Sequence, residues 1–139
     1  MPLIVTLTAE DLLRNGPIVK IEIGNPSDPS RVARVNALVD TGAAFTAMNP
    51  RLAQNCRLIQ RGQKKIHVPG NTGPDDAKAY PEFAASLRFP DSDLLSFRVH
   101  GIIACLIGRD ILKYWELTYS GVLGQFSIKD SRNQAPELT

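Results

Sequence analysis

The sequence predicts an all-β fold with one short helix toward its C-terminal end. Three features lead there. Apolar–polar alternation comes in short runs, and clusters of Gly, Pro, Asn and Asp separate them. Two of these runs flank "NPSDPS", a turn segment in which Asn25 and Asp28 each precede a proline that rejects helix. A late apolar run, "GIIACLIG", stops at Gly108 and gives way to helically spaced residues.

In chain order, "PIVKIEIG" (17–24) puts Ile18, Lys20 and Glu22 on one face of a strand and Val19, Ile21 and Ile23 on the other. "RVARVNALVD" (31–40) runs back beside it, so the hairpin delivers Asp40 at its end. "PRLAQ" from Pro50 suits a helical turn, since proline is tolerated at a first helical position. Residues 64–90 read as two strands flanking a Gly/Pro/Asn/Asp tip centred on 70–76. "FRVHGIIACLIG" (97–108) reads as one strand, apolar and buried on both faces at its end. "RDILKYWEL" (109–117) spaces Ile111, Leu112 and Trp115 for a helix, with Asp110 near its N-terminus. "LTYSGVLGQFSI" closes with a hairpin around Gly121, and 129–139 is a polar tail.

At 139 residues and 15.2 kDa the chain predicts one domain, 1–139, with its core over about 17–128. A hydrophobic fraction of 43% with 22% charged residues is a globular balance. The formal charge of +2 is too small to indicate a nucleic-acid or membrane partner. The start, "MPLIVTLTAEDLLRNG", lacks a basic segment ahead of its apolar run, and no stretch approaches the ~20 apolar residues of a spanning helix. Cys56 and Cys105 have no metal-ligand spacing and read as free thiols in a reducing compartment, with Cys105 a small core residue. His67 and His100 are far apart and lack ligand neighbours, so neither a metal nor a cofactor is expected. The basic segment "RLIQRGQKK" (57–65) reads as solvated strand and turn. A soluble cytoplasmic domain is the expectation.

Two segments carry chemistry. "ALVDTGAAFTAM" (37–48) ends a buried strand in an acid, which is costly unless something hydrogen-bonds it or uses it. Alone, Asp-Thr-Gly is no more than a strand-end turn. "ACLIGRDIL" (104–112) is a buried strand breaking at Gly108 into Arg109 and a helix. In this order, with a Gly-tipped hairpin between them, they resemble the retropepsins, the retroviral-type aspartic proteases, in a single-domain cellular or bacterial form. The matching segments are "LVDTGA" (38–43), the flap-like "HVPGNTG" (67–73) and "LIGRDIL" (106–112).

The resemblance implies a retropepsin-like acid protease barrel, assembled as a C2 homodimer. Hydrolysis of a peptide by water needs a base for the water and an acid for the leaving amine. Two carboxylates a few Å apart supply both by sharing one proton, the general behaviour of aspartic-protease dyads rather than a result of this sequence. One chain holds one Asp-Thr-Gly, so the partner would supply the second Asp40 on the two-fold axis. Catalytic roles fall to Asp40, Thr41 and Gly42, and substrate contacts to Ala43, Ala44, Phe45, Val68, Pro69, Gly70 and Asn71. Ile107, Gly108 and Arg109 support the site. Viral members carry acids where this chain has Ala44 and Phe45, so Arg109 must pair with Glu116 or with a backbone carbonyl. The expected partners are a second copy of the chain and a peptide substrate. Two other readings are a retropepsin-fold dimer that binds peptides without cutting them, and an unrelated β-barrel that binds small ligands.

Overall fold

In the computed structural model, the described residues are 3–66, 77–89, 95–101 and 105–130. They are mostly β-sheet, with three helices of at most seven residues where a helical turn from Pro50 and one helix after Gly108 were expected. The flap-like residues Val68, Pro69, Gly70 and Asn71, together with His67 and the tail beyond residue 130, lie outside the described residues.

Strand β1 (Leu3–Thr6) and helix α1 (Ala9–Asn15) open the chain. Thr8 caps α1 by accepting the Asp11 N–H at 3.0 Å, and Gly16 ends it at φ 73°, a backbone region that favours glycine. One apolar residue of α1, Leu12, is buried in the core. The expected hairpin follows as β2 (Ile18–Asn25) and β3 (Asp28–Val39), paired antiparallel from Ile18↔Leu38 onward. Val19, Ile21 and Ile23 are buried while Lys20 faces solvent, as the alternation predicts. At the turn the Asn25 carboxamide accepts the Ser27 N–H, and Asp28 accepts from both the N–H and the hydroxyl of Ser30.

Next come β4 (Ala47–Met48), α2 (Pro50–Asn55), β5 (Gln60–Ile66) and β6 (Lys78–Arg88). Asn49 caps α2 and Pro50 begins it. The predicted pair of strands on either side of the 67–76 tip is β5 with β6. β5 carries the basic segment and is exposed from Gln60 to Lys65, as expected for a solvated strand.

The single strand expected over 97–108 is instead two. β7 (Leu95–Gly101) and β8 (Leu106–Ile107) flank β4, which pairs parallel with β7 and antiparallel with β8. A strand inserted between two halves of one apolar run forces that run to turn back. The helix expected over 109–117 is one turn, α3 (Arg109–Leu112). Trp115 instead starts β9 (Trp115–Ser120), which pairs antiparallel with β10 (Gln125–Asp130) across a turn at Gly121. The Trp115 ring meets Phe89 edge-on, with centroids 4.7 Å apart. Strand pairing and that contact override the helical spacing.

β1, β10 and β9 form one sheet. In the other, neighbours run β2-β3-β8-β4-β7-β6-β5, and β2 also pairs with β6, so the pairings from β2 round to β6 form a closed circuit with β5 outside it. Ile21, Val39, Met48, Leu87, Val99 and Ile107 fill its interior. Among the described residues no helix is long and apolar enough to cross a membrane.

Candidate functional site

Asp40 comes straight off β3, and the parallel pairing of β3 with β8 brings Ile107 beside it. The Asp40 N–H donates to the Ile107 carbonyl at 3.0 Å, and its own carbonyl accepts the Ala43 N–H at 3.2 Å, closing a turn. Carboxylate oxygen Oδ1 accepts the Gly42 N–H at 2.8 Å. Glycine suits that approach, because a Cβ at position 42 would lie 3.1 Å from the same oxygen. Oδ2 has no hydrogen-bond partner among the described residues. The carboxyl group is half-buried, with Thr41 and Gly42 exposed beside it. The Thr41 hydroxyl likewise has no partner among the described residues.

The predicted supports are all in contact with this turn. Ile107 is wholly buried. The Arg109 N–H donates to the Ala43 carbonyl at 2.8 Å, and its guanidinium donates to the Thr41 carbonyl, also at 2.8 Å. Of the two partners open to Arg109, the backbone carbonyl is therefore the one used; Glu116 lies 3.8 Å from Lys129 instead. Gly108 passes so close beneath Phe45 that a Cβ there would sit 2.5 Å from the Phe45 carbonyl carbon. Any larger residue would push the 40–46 loop away from its floor.

Two residues given no role in the site from the sequence hold this junction together. Thr46 is 2% exposed; its hydroxyl donates to Asp110 Oδ1 at 2.7 Å and accepts the Gly108 N–H at 3.1 Å. The Thr46 N–H donates to Asp110 Oδ2 at 2.9 Å. Asp110 thus ties α3 to the loop, beyond its expected role as an acid in the first turn of a helix. A polar pair next to "DTGA" and "GR" is the signal that could have pointed to it.

Ala43 is half-buried and Ala44 exposed. The half-buried Phe45 ring packs against the imidazole of His100 with centroids 5.2 Å apart, and the Lys64 ammonium of β5 sits 4.5 Å from its centre. His100 is 2% exposed and its imidazole makes two polar contacts, to the Thr46 carbonyl and to Glu82. Nothing local in the sequence links positions 82 and 100, so this contact had no sequence signal.

Among the described residues no cluster of His, Cys, Asp and Glu could hold a metal ion. Cys56 and Cys105 are free thiols. Burial pushes the Cys56 thiol up from its ordinary value, against a smaller opposing effect of Arg31. Cys105 is half-buried against the core rather than within it. Compared with known proteins, the chain matches no protein-family model and no curated protein.

Proposed function

We propose that the chain is a retropepsin-like aspartic endopeptidase whose active site forms between two copies related by a two-fold axis. The observation that carries this is the Asp40 turn: one carboxylate oxygen is held by the Gly42 N–H, the other has no partner among the described residues, and Arg109 and Ile107 brace the backbone on either side. Oδ1 is taken up by its own loop, which leaves Oδ2 of this half-buried residue for a second carboxyl group or a water. The closed circuit of strands fits the barrel that the resemblance implies.

In this reading the two Asp40 carboxyl groups share one proton and hold a water between them. The unprotonated group takes a proton as the water oxygen bonds to the peptide carbonyl carbon. The protonated group supports the developing oxyanion. Collapse of the tetrahedral intermediate breaks the C–N bond and delivers a proton to the leaving nitrogen. Thr41, exposed and with no hydroxyl partner among the described residues, is assigned by the resemblance to the partner's loop. Ala43, Ala44 and Phe45 form the cleft wall beside the water, and the 68–71 tip between β5 and β6 is assigned to the substrate by resemblance alone. Free thiols suit a reducing compartment such as the cytoplasm.

The test is incubation with a peptide library, wild type beside Asp40→Asn, with cleavage sites read by mass spectrometry. Cleavage by wild type and none by a folded variant is the expected result. Equal cleavage by both, or none by either, overturns the reading.

A further inference from the structure

We propose that His100 and Glu82 form a hydrogen-bonded tie that positions the 40–46 loop, with His100 a positioning residue and not an acid or base of the reaction. Its relevance to catalysis rests on the reading above, but the tie itself can be measured without turnover.

His100 in β7 and Glu82 in β6 are directly opposed cross-strand partners. Their side chains are 3% and 22% exposed. Imidazole Nδ1 lies 2.9 Å from the Thr46 carbonyl, which also accepts the His100 backbone N–H at 3.0 Å. A carbonyl can only accept, so Nδ1 carries a hydrogen and donates. Nε2 lies 3.0 Å from Glu82 Oε2. One proton must therefore lie between Nε2 and Oε2; without it, a nitrogen lone pair and a carboxylate would face each other in a buried site.

That proton connects two parts of the molecule. On one side is β6, a wall of the larger sheet. On the other is Thr46, whose hydroxyl holds Gly108 and Asp110 and whose neighbour Phe45 leans on the imidazole. Other charges around the tie are Asp110 of α3, on the far side of Thr46, and Lys64 of β5, over the Phe45 ring. Without the Glu82 contact the imidazole is no longer held in place, the Thr46 carbonyl loses a firmly placed donor, and the loop above Gly108 loosens.

The experiment follows hydrogen exchange at the Thr46, His100 and Gly108 amides at one fixed pH in wild type, Glu82→Leu and Glu82→Gln. Leucine leaves Nε2 without its partner, whereas the carboxamide keeps a hydrogen bond to it. A buried hydrogen bond to a charged group supports at least about a tenfold effect on opening. Protection in Glu82→Leu should therefore fall at least about tenfold, while Glu82→Gln restores most of it. Unchanged protection in Glu82→Leu, or an equal fall in both variants, overturns the proposal. His100→Phe keeps the ring packing on Phe45 but deletes both side-chain bonds, and should lower protection as Glu82→Leu does. For peptide cleavage, Glu82→Leu should lower kcat more than it changes KM, with Glu82→Gln again restoring it. If no peptide is cleaved but the exchange result holds, only the peptidase reading fails.

Discussion

Thr46→Val tests the junction under the loop at its most concentrated point. Valine has nearly the shape of threonine, so the change opens no cavity and isolates the hydroxyl. Two hydrogen bonds disappear at a residue that is 2% exposed: the 2.7 Å donation to Asp110 and the 3.1 Å acceptance from Gly108. A hydrogen bond to a charged group contributes about 1.5–3 kcal/mol, and a buried N–H left without a partner costs about 1–3 kcal/mol. Asp110 keeps the N–H donors of Thr46 and Ile111, which softens the first loss. The expected destabilisation is about 3 kcal/mol. Urea unfolding at one fixed chain concentration measures it, because pairing of the kind proposed would make stability depend on concentration. Thr46→Ser, which keeps the hydroxyl and loses one methyl, should cost only about 1 kcal/mol. A Thr46→Val loss below about 1 kcal/mol, or a serine variant as unstable as the valine one, would refute the claim that the hydroxyl pins the junction.

Gly108→Ala should cost at least about 1–3 kcal/mol by forcing the Phe45 backbone off its floor, and should lower peptide cleavage more than any change in binding explains; steady-state kinetics beside urea unfolding checks both. Asp28 is held below the ordinary carboxylate value first by the Ser30 hydroxyl and then by the Ser30 N–H. A depressed carboxylate contributes stability that is present above its unfolded pKa and lost as pH falls through the folded one. Ser30→Ala keeps only the backbone bond, so the Asp28 titration followed by NMR should move partway back up.

Much of the fold could be read from local pattern. The β2–β3 hairpin follows from alternation plus two Asx-Pro turns, α2 from Pro50, and the β9–β10 hairpin from Gly121 between short apolar runs. The N-terminal strand and helix were missed although Thr8 and Gly16 are ordinary cap residues, because Leu12 alone among the α1 residues is buried and a helix of seven residues leaves little periodicity to detect. The split between β7 and β8 was not legible, since the inserted β4 comes from 47–48, far upstream. At the site the split is similar. Asp40, Gly42, Gly108 and Arg109 are motif residues, and the structure brings their two segments together through the Arg109–Thr41 hydrogen bond and the approach of Gly108 to Phe45. Thr46, Asp110, Glu82 and His100 are joined by hydrogen bonds across 18 to 64 positions of chain, and such contacts leave no periodic signature. Arg109's use of the Thr41 carbonyl was one of two options that the sequence left open.

The most direct measurement of the central claim mixes wild type with Asp40→Asn at constant total chain concentration, allows the chains to exchange, and follows peptide cleavage against the wild-type fraction. If each active site needs one Asp40 from each of two chains, only wild-type pairs cleave, and activity follows the square of that fraction. An equal mixture should then retain about one quarter of full activity when pairing is random. A straight-line dependence, with about one half remaining, would mean that each chain acts alone, and would contradict a catalytic site built from two Asp40 carboxylates.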